Sequence, residues 1–223
     1  MKSRMTIVAM FCVLAVLAQA ASYTAGLSQC VTLDYFTGGA NYGSGTLYSY
    51  NVYTVWRGPA LQFDLSGVPA LGVGEYVTNA KVHISNLYNS YNTAPFEGLA
   101  KIDTAWTPSV ANTMLPLTWL NWGGSGFTGV DTITQYTTMS GTFDMHNFSD
   151  AALNTLVQNW LTGATPNYGL GLLSAYVGGT QEYLAGIGNP GVYAPTLTFD
   201  VVPEPATMML LGLGGLAVLR RKK

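Results

Sequence analysis

Between residues 21 and 202 the chain holds one cysteine, two histidines and three basic residues. Each shortage excludes a class of chemistry. Cys30 has no partner for an internal disulfide, because the only other cysteine, Cys12, lies in the first 20 residues. His83 and His146 sit in no H-E-x-x-H or G-x-S-x-G arrangement, and there is no C-x-x-C, P-loop or EF-hand spacing. Arg57, Lys81 and Lys101 face ten acidic residues in this region, a net of −7. Such a surface repels phosphate backbones, so no nucleic-acid partner is expected. No apolar run reaches the ~20 residues of a comfortable membrane span. Two shorter runs stand at the ends of the chain.

Lys2 and Arg4 precede the apolar stretch from Ile7 to Leu17, and Ala18-Gln19-Ala20 has the A-x-A form of a signal-peptidase site. Residues 1–20 are read as a secretory signal cut after Ala20, with Ala18 and Ala20 as recognition residues. A buried N-terminal helix would need a polar face that this stretch lacks. No arginine pair precedes the run, so general secretion is expected rather than the twin-arginine route. Leu27-Ser28-Gln29-Cys30 departs from a lipoprotein box, since Gln29 stands where a small residue is required. Cys30 is read instead as a half-buried thiol, with an intermolecular bridge as the alternative.

The chain closes on Pro203-Glu204-Pro205, an uncharged run from Ala206 to Leu219, and Arg220-Arg221-Lys222-Lys223. Fourteen residues make roughly 21 Å of helix, short of the ~30 Å hydrocarbon core. The span is therefore marginal. Gly212, Gly214 and Gly215 weaken a helix and allow close helix approach. The basic cluster acts as a stop signal on the cytoplasmic side, which leaves everything before Pro203 outside. The order of these parts resembles the PEP-CTERM sorting signal of Gram-negative bacteria. That resemblance implies transient insertion in the inner membrane and cleavage at or near the motif by an exosortase, a membrane cysteine transpeptidase. It also implies delivery to the cell surface or to an extracellular, exopolysaccharide-rich biofilm matrix. Glu204 between two prolines is expected to be exposed and extended, and removable without unfolding what precedes it.

Residues 21–202 are read as one domain, with 203–223 as the sorting signal. "AKVHISNL" alternates Ala80, Val82 and Ile84 with Lys81, His83 and Ser85, and "PTLTFDVV" alternates Leu197, Phe199 and Val201 with polar neighbours. Both predict half-buried strands, as do "ALQFDLS" and "YGLGLLSAY". One segment changes period: Leu153, Leu156, Val157, Trp160 and Leu161 recur at helical spacing. Ser149 or Asp150 can cap its start and Gly163 its end. An all-β sandwich with one packed amphipathic helix is expected, Trp160 filling the core.

Across residues 32–201 the sequence also resembles a DNRLRE domain. The likeness rests on Asn41-Tyr42-Gly43, Arg57, Leu61 to Ser66, Ala105-Trp106, Thr118-Trp119 with Asn121, and Phe143-Asp144. It continues in Leu156 to Leu161, Asn167 to Leu170, and Glu182 before a final strand. It implies a jelly-roll fold similar to carbohydrate-binding modules. Two departures are a long loop from Gly123 to Ser140, and Gln62 where a basic residue is usual.

Glycoside hydrolysis needs two opposed carboxylates. Glu97, Asp103, Asp131, Asp144 and Glu182 are candidates by type alone, and the simpler reading is that they solvate the surface. His83 is expected to face solvent and His146 to lie in a loop. No cofactor is expected, and calcium stays open as a loop clip. Aromatics say more. Trp106 and Trp119 are read as packing residues. Trp122 beside Asn121, with Tyr48, Tyr50, Tyr53, Tyr88 and Tyr91 in loop-like or edge-like stretches, could stack on sugar rings. The expected function is that of a non-enzymatic structural or adhesive surface protein. A carbohydrate-binding module with one defined site, or a secreted glycan-active enzyme, are the alternatives.

Overall fold

Strand-period alternation governs the fold, and a computed structural model of the chain gives its architecture. It describes residues 20–34, 46–52, 55–89, 96–103, 105–107, 130–138, 141–174, 181–187 and 194–204. Residues 1–19 of the expected signal segment, 1–20, and the expected membrane helix, 206–219, lie outside the described residues. Among those described, no helix is long and apolar enough to cross a membrane.

In chain order the elements are β1 (Ala21–Asp34), β2 (Thr46–Val52), β3 (Val55–Phe63), β4 (Glu75–Asn89), β5 (Phe96–Lys101) and β6 (Val130–Thr138). There follow β7 (Gly141–Ser149), α1 (Ala151–Thr162), β8 (Leu170–Ser174), β9 (Gln181–Ala185) and β10 (Thr196–Pro203). Every strand pair is antiparallel, in the order β1-β10-β4-β9-β2-β3-β8-β5, with the β6–β7 hairpin joined to β4 through β7. β1 closes this path on itself. Its first half pairs with β10, from Ala21↔Val201 to Gly26↔Thr196, and its second half with β3, from Leu27↔Phe63 to Asp34↔Arg57. One long strand thus bridges two parts of the sheet and curls it around the core, with the register shift after Leu27 marking the bend.

The inner face carries the expected apolar positions. Val82, Ile84, Leu197 and Phe199 are buried with Leu61, Phe63, Phe148, Leu170, Leu172 and Leu184. α1 lies on β4 and buries Leu153, Leu156, Val157 and Trp160. Asp150 caps it by accepting from the Ala152 N–H at 2.6 Å, and Gly163 ends it in the left-handed region at φ 72°. Trp160 therefore is a core residue.

The helix has a second use. β7 covers β4 only from Lys81 onward, which leaves the N–H groups of Val77 and Ala80 unserved on that side. Gln158 Oε1 accepts from Val77 at 3.1 Å, and Asn154 Oδ1 from Ala80 at 2.8 Å. Two helix side chains thus finish the strand edge that β7 leaves. Between those positions β4 carries one extra residue relative to β10, and Asn79 takes it up at φ 54°.

Two expectations are corrected here. The stretch from Gly123 to Ser140 is not all loop, because Val130–Thr138 forms β6, pairing from Val130↔Ser149 to Thr138↔Gly141. His146 is not in a loop either. It sits in β7 between Ile84 and Ile133, 1% exposed, its ring 6.3 Å from that of Phe148. Missing hydrophobic alternation hid both: "VDTITQYTT" is rich in strand-favouring residues, but neither it nor "GTFDMHNFS" carries an apolar stripe at period two, and cross-strand pairing decides them.

Candidate functional site

The chain leaves the sheet at the sorting motif. β10 is an interior strand, held by β1 on one side and β4 on the other. Its pairing with β4 runs through Val201↔Val77 and Val202↔Tyr76 to Pro203↔Glu75. The first proline of the motif is thus the last residue of a paired strand, a position where its missing N–H costs nothing. Glu204 is exposed, as expected, yet its N–H donates to the Gly74 carbonyl. The motif begins inside the fold rather than on a loose linker.

The partner segment is a tight turn. The Glu75 N–H donates to the Gly72 carbonyl at 3.1 Å, and the Gly72 N–H donates back to Glu75 Oε2 at 2.6 Å. Gly74 sits at φ 79°, where a side chain would be strained. Val73, at the tip, is fully exposed. Ala21, the residue after the expected signal cut, pairs with Val201 beside this exit. The expected signal cut and the sorting motif therefore lie at one end of the sheet.

A second feature is an aromatic row. Tyr48 of β2 pairs with Tyr183 of β9, and Tyr183 with Tyr88 of β4, so three tyrosines stand in register on adjacent strands. Tyr50 follows two places along β2, opposite Gln181. The neighbouring Leu47 and Leu184 are wholly buried. A bulge at Leu87 brings Tyr88 into line. At a strand spacing of about 4.8 Å the row is about 10 Å wide.

Tyr48, Tyr50 and Tyr88 accordingly belong to paired strands within the sheet, not to loops or edges. Sequence reading missed Tyr183, because only the β2–β9–β4 register reveals it. Tyr53, Tyr91, Asn121 and Trp122 lie outside the described residues.

The DNRLRE-like positions converge on a hydrogen-bonded joint. Gln29 Nε2 donates to Gln62 Oε1 at 2.5 Å and to the Trp106 carbonyl at 2.8 Å. Gln62 Nε2 donates to the Asn167 carbonyl at 2.6 Å. Asn167 Nδ2 reaches the Phe63 carbonyl at 2.9 Å, and its Oδ1 accepts from Gly169. Trp106, 6% exposed, donates its indole N–H to the Tyr168 carbonyl at 2.7 Å. A neutral amide at position 62 suits this joint, since it must donate on one side and accept on the other. The joint ties β1, β3 and the approach to β8 together, so these residues hold the fold.

The titratable groups are dispersed. His83 lies on the outer face, half-buried, with Nδ1 2.5 Å from Asn147 Oδ1 and Nε2 2.8 Å from Thr198 Oγ1. Asp200 accepts from Asn79 Nδ2 at 2.8 Å and Ser22 Oγ at 2.5 Å, which holds its carboxyl below the usual range. Cys30 is fully buried, not half-buried, and burial pushes its thiol up although the Ile187 N–H donates to the sulfur at 3.3 Å. An inter-chain bridge through so enclosed a sulfur would require opening the sheet.

The five candidate carboxylates are spread as widely. Glu97, Asp131, Asp144 and Glu182 fall on β5, β6, β7 and β9, and Asp103 pairs with Lys101 at 2.5 Å just after β5. No strand pairing among the described residues sets two of them opposite each other. Nor do the described residues contain a group of three or more ligating side chains able to hold a metal ion.

No curated protein and no solved structure matches the chain. Residues 201–223, by contrast, match the model of the PEP-CTERM protein-sorting motif, beginning within β10 at Val201. The chain therefore carries the signal of an exported protein that is held transiently at the membrane and processed by an exosortase.

Proposed function

We propose that this protein is a non-enzymatic structural or adhesive component of the cell surface or exopolysaccharide matrix. The observation that carries the reading is the sorting motif running directly out of a strand-rich domain in which three tyrosines stand in register on adjacent strands. Each ring offers an apolar face to sugar C–H groups and a hydroxyl at its edge. Three in line suit an extended polysaccharide, which binds by repeated weak contacts rather than in a closed pocket. The DNRLRE resemblance, with its jelly-roll expectation, supports the same glycan-facing reading. The excess of acidic groups suits an uncharged or calcium-bridged glycan better than a free polyanion.

Cosedimentation of the released domain with the organism's own matrix polysaccharide tests the proposal. Loss of one stacking tyrosine in Tyr183→Ala is expected to lower retention by about fivefold, with the thermal midpoint kept within a few degrees. Equal retention by wild type and variant would refute the tyrosine contact. Polysaccharide shortened by the wild-type protein would refute the non-enzymatic reading.

A further inference from the structure

We propose that the folded domain itself selects the bond the exosortase can cut, confining cleavage to the Glu204 carbonyl or a carbonyl beyond it, and that fraying of the last strand sets the rate. The inference rests on the reading of the chain as an exosortase substrate. It adds where the fold permits processing and what controls it.

A protease takes its substrate as free extended chain, so paired backbone resists it until it opens. At Val201 and Val202 the chain is paired with β4, and Val201 also with β1. Cleavage before Pro203 would require β10 to leave the interior of the sheet, exposing Phe199 and Val201, which are buried. Pro203 still stands opposite Glu75, and the Glu204 N–H is bound to the Gly74 carbonyl. The Glu204 carbonyl is the first with no pairing among the described residues on its C-terminal side.

Distance gives the second half of the argument. Only Pro205 separates Glu204 from Ala206, where the apolar run starts. Two residue steps reach at most about 7 Å. On the reading of the tail as a membrane segment, Gly74, bonded to Glu204, is thus kept within about that reach of the membrane surface. An enzyme at that surface gains room only when Glu204 and Pro203 lift off the turn. Where such opening is fast, cleavage follows the population of the open form.

The chemistry is acyl transfer. The enzyme's thiolate adds to the scissile carbonyl, the C–N bond breaks, and the membrane tail leaves as an amine that takes up a proton. The acyl group then passes from sulfur to water or to an acceptor nucleophile, and the thiol is restored.

The test uses the full-length chain in exosortase-containing cells, with pulse-chase and intact mass of the released domain. Wild-type protein is expected to end at Glu204 or later. Four Gly/Ser residues inserted between Val202 and Pro203 should speed cleavage about fivefold, the population factor of one net hydrogen bond, and Gly74→Ala should act in the same direction. Circular dichroism of both variants checks that the domain still folds. A released product ending at Pro203 or earlier, or equal rates for wild type and the spacer variant, overturns the inference while leaving the sorting role intact. A tail left uncut in wild type removes the sorting role and the inference with it.

Discussion

Gly169→Ala should damage the domain far more than a single methyl suggests. Gly169 precedes β8 at φ 87°, in the left-handed region. Forcing alanine there costs about 1–2 kcal/mol. The added Cβ would also stand 2.0 Å from the Leu61 carbonyl oxygen and 2.9 Å from Gln62 Cα, both backbone atoms of β3. Side-chain rotation cannot relieve such a contact, so β8 must move off β3, with which it pairs only at Ala60↔Gly171 and Leu61↔Leu170. The Gly169 N–H to Asn167 and the Ile102 N–H to the Gly169 carbonyl would be strained with it. Losing about two hydrogen bonds at about 1 kcal/mol each brings the total to roughly 3–4 kcal/mol. At about 2–4 °C per kcal/mol for a domain this size, the thermal midpoint falls by roughly 6–16 °C. Thermal unfolding followed by near-ultraviolet circular dichroism reads this directly. A midpoint within 2 °C of wild type, at ~2–4 °C per kcal/mol, would refute the backbone clash.

Gln62→Ala should destabilise the domain by about 1–3 kcal/mol, since it strands Gln29 and the Asn167 carbonyl at the joint of β1, β3 and β8; chemical denaturation measures it. Asp200→Asn should flatten the acid side of the stability profile. The folded carboxyl is held below its unfolded value, so its stabilisation is present above about pH 4, the unfolded value, and is lost as pH falls through the folded one. Denaturant midpoints from pH 7 to pH 2 test this, and an unchanged acid limb would refute it.

Strand identity was legible where alternation was strong. "AKVHISNL" and "PTLTFDVV" bury the residues their period assigned inward, and α1 starts and stops at Asp150 and Gly163 as its capping residues predict. β6 and β7 were not legible, because their polar residues carry no inward stripe and their pairing with β4 supplies the missing order. The tyrosine row was half legible. Tyr48, Tyr50 and Tyr88 stood out as aromatics, but Tyr183 acquires meaning only beside them.

The sequence by itself determined the sorting tail, the strand-rich class of the domain, its helix at 151–162 and its lack of conventional catalytic motifs. These are local properties, set by residue type and short-range period. Tertiary structure decided that β1 closes the sheet, that a bulge at Leu87 aligns three tyrosines, and that the sorting motif is tied to Gly74. Those features join residues tens to more than a hundred positions apart. Register is fixed by which faces are buried together, a contest among distant segments that no local window of the chain records.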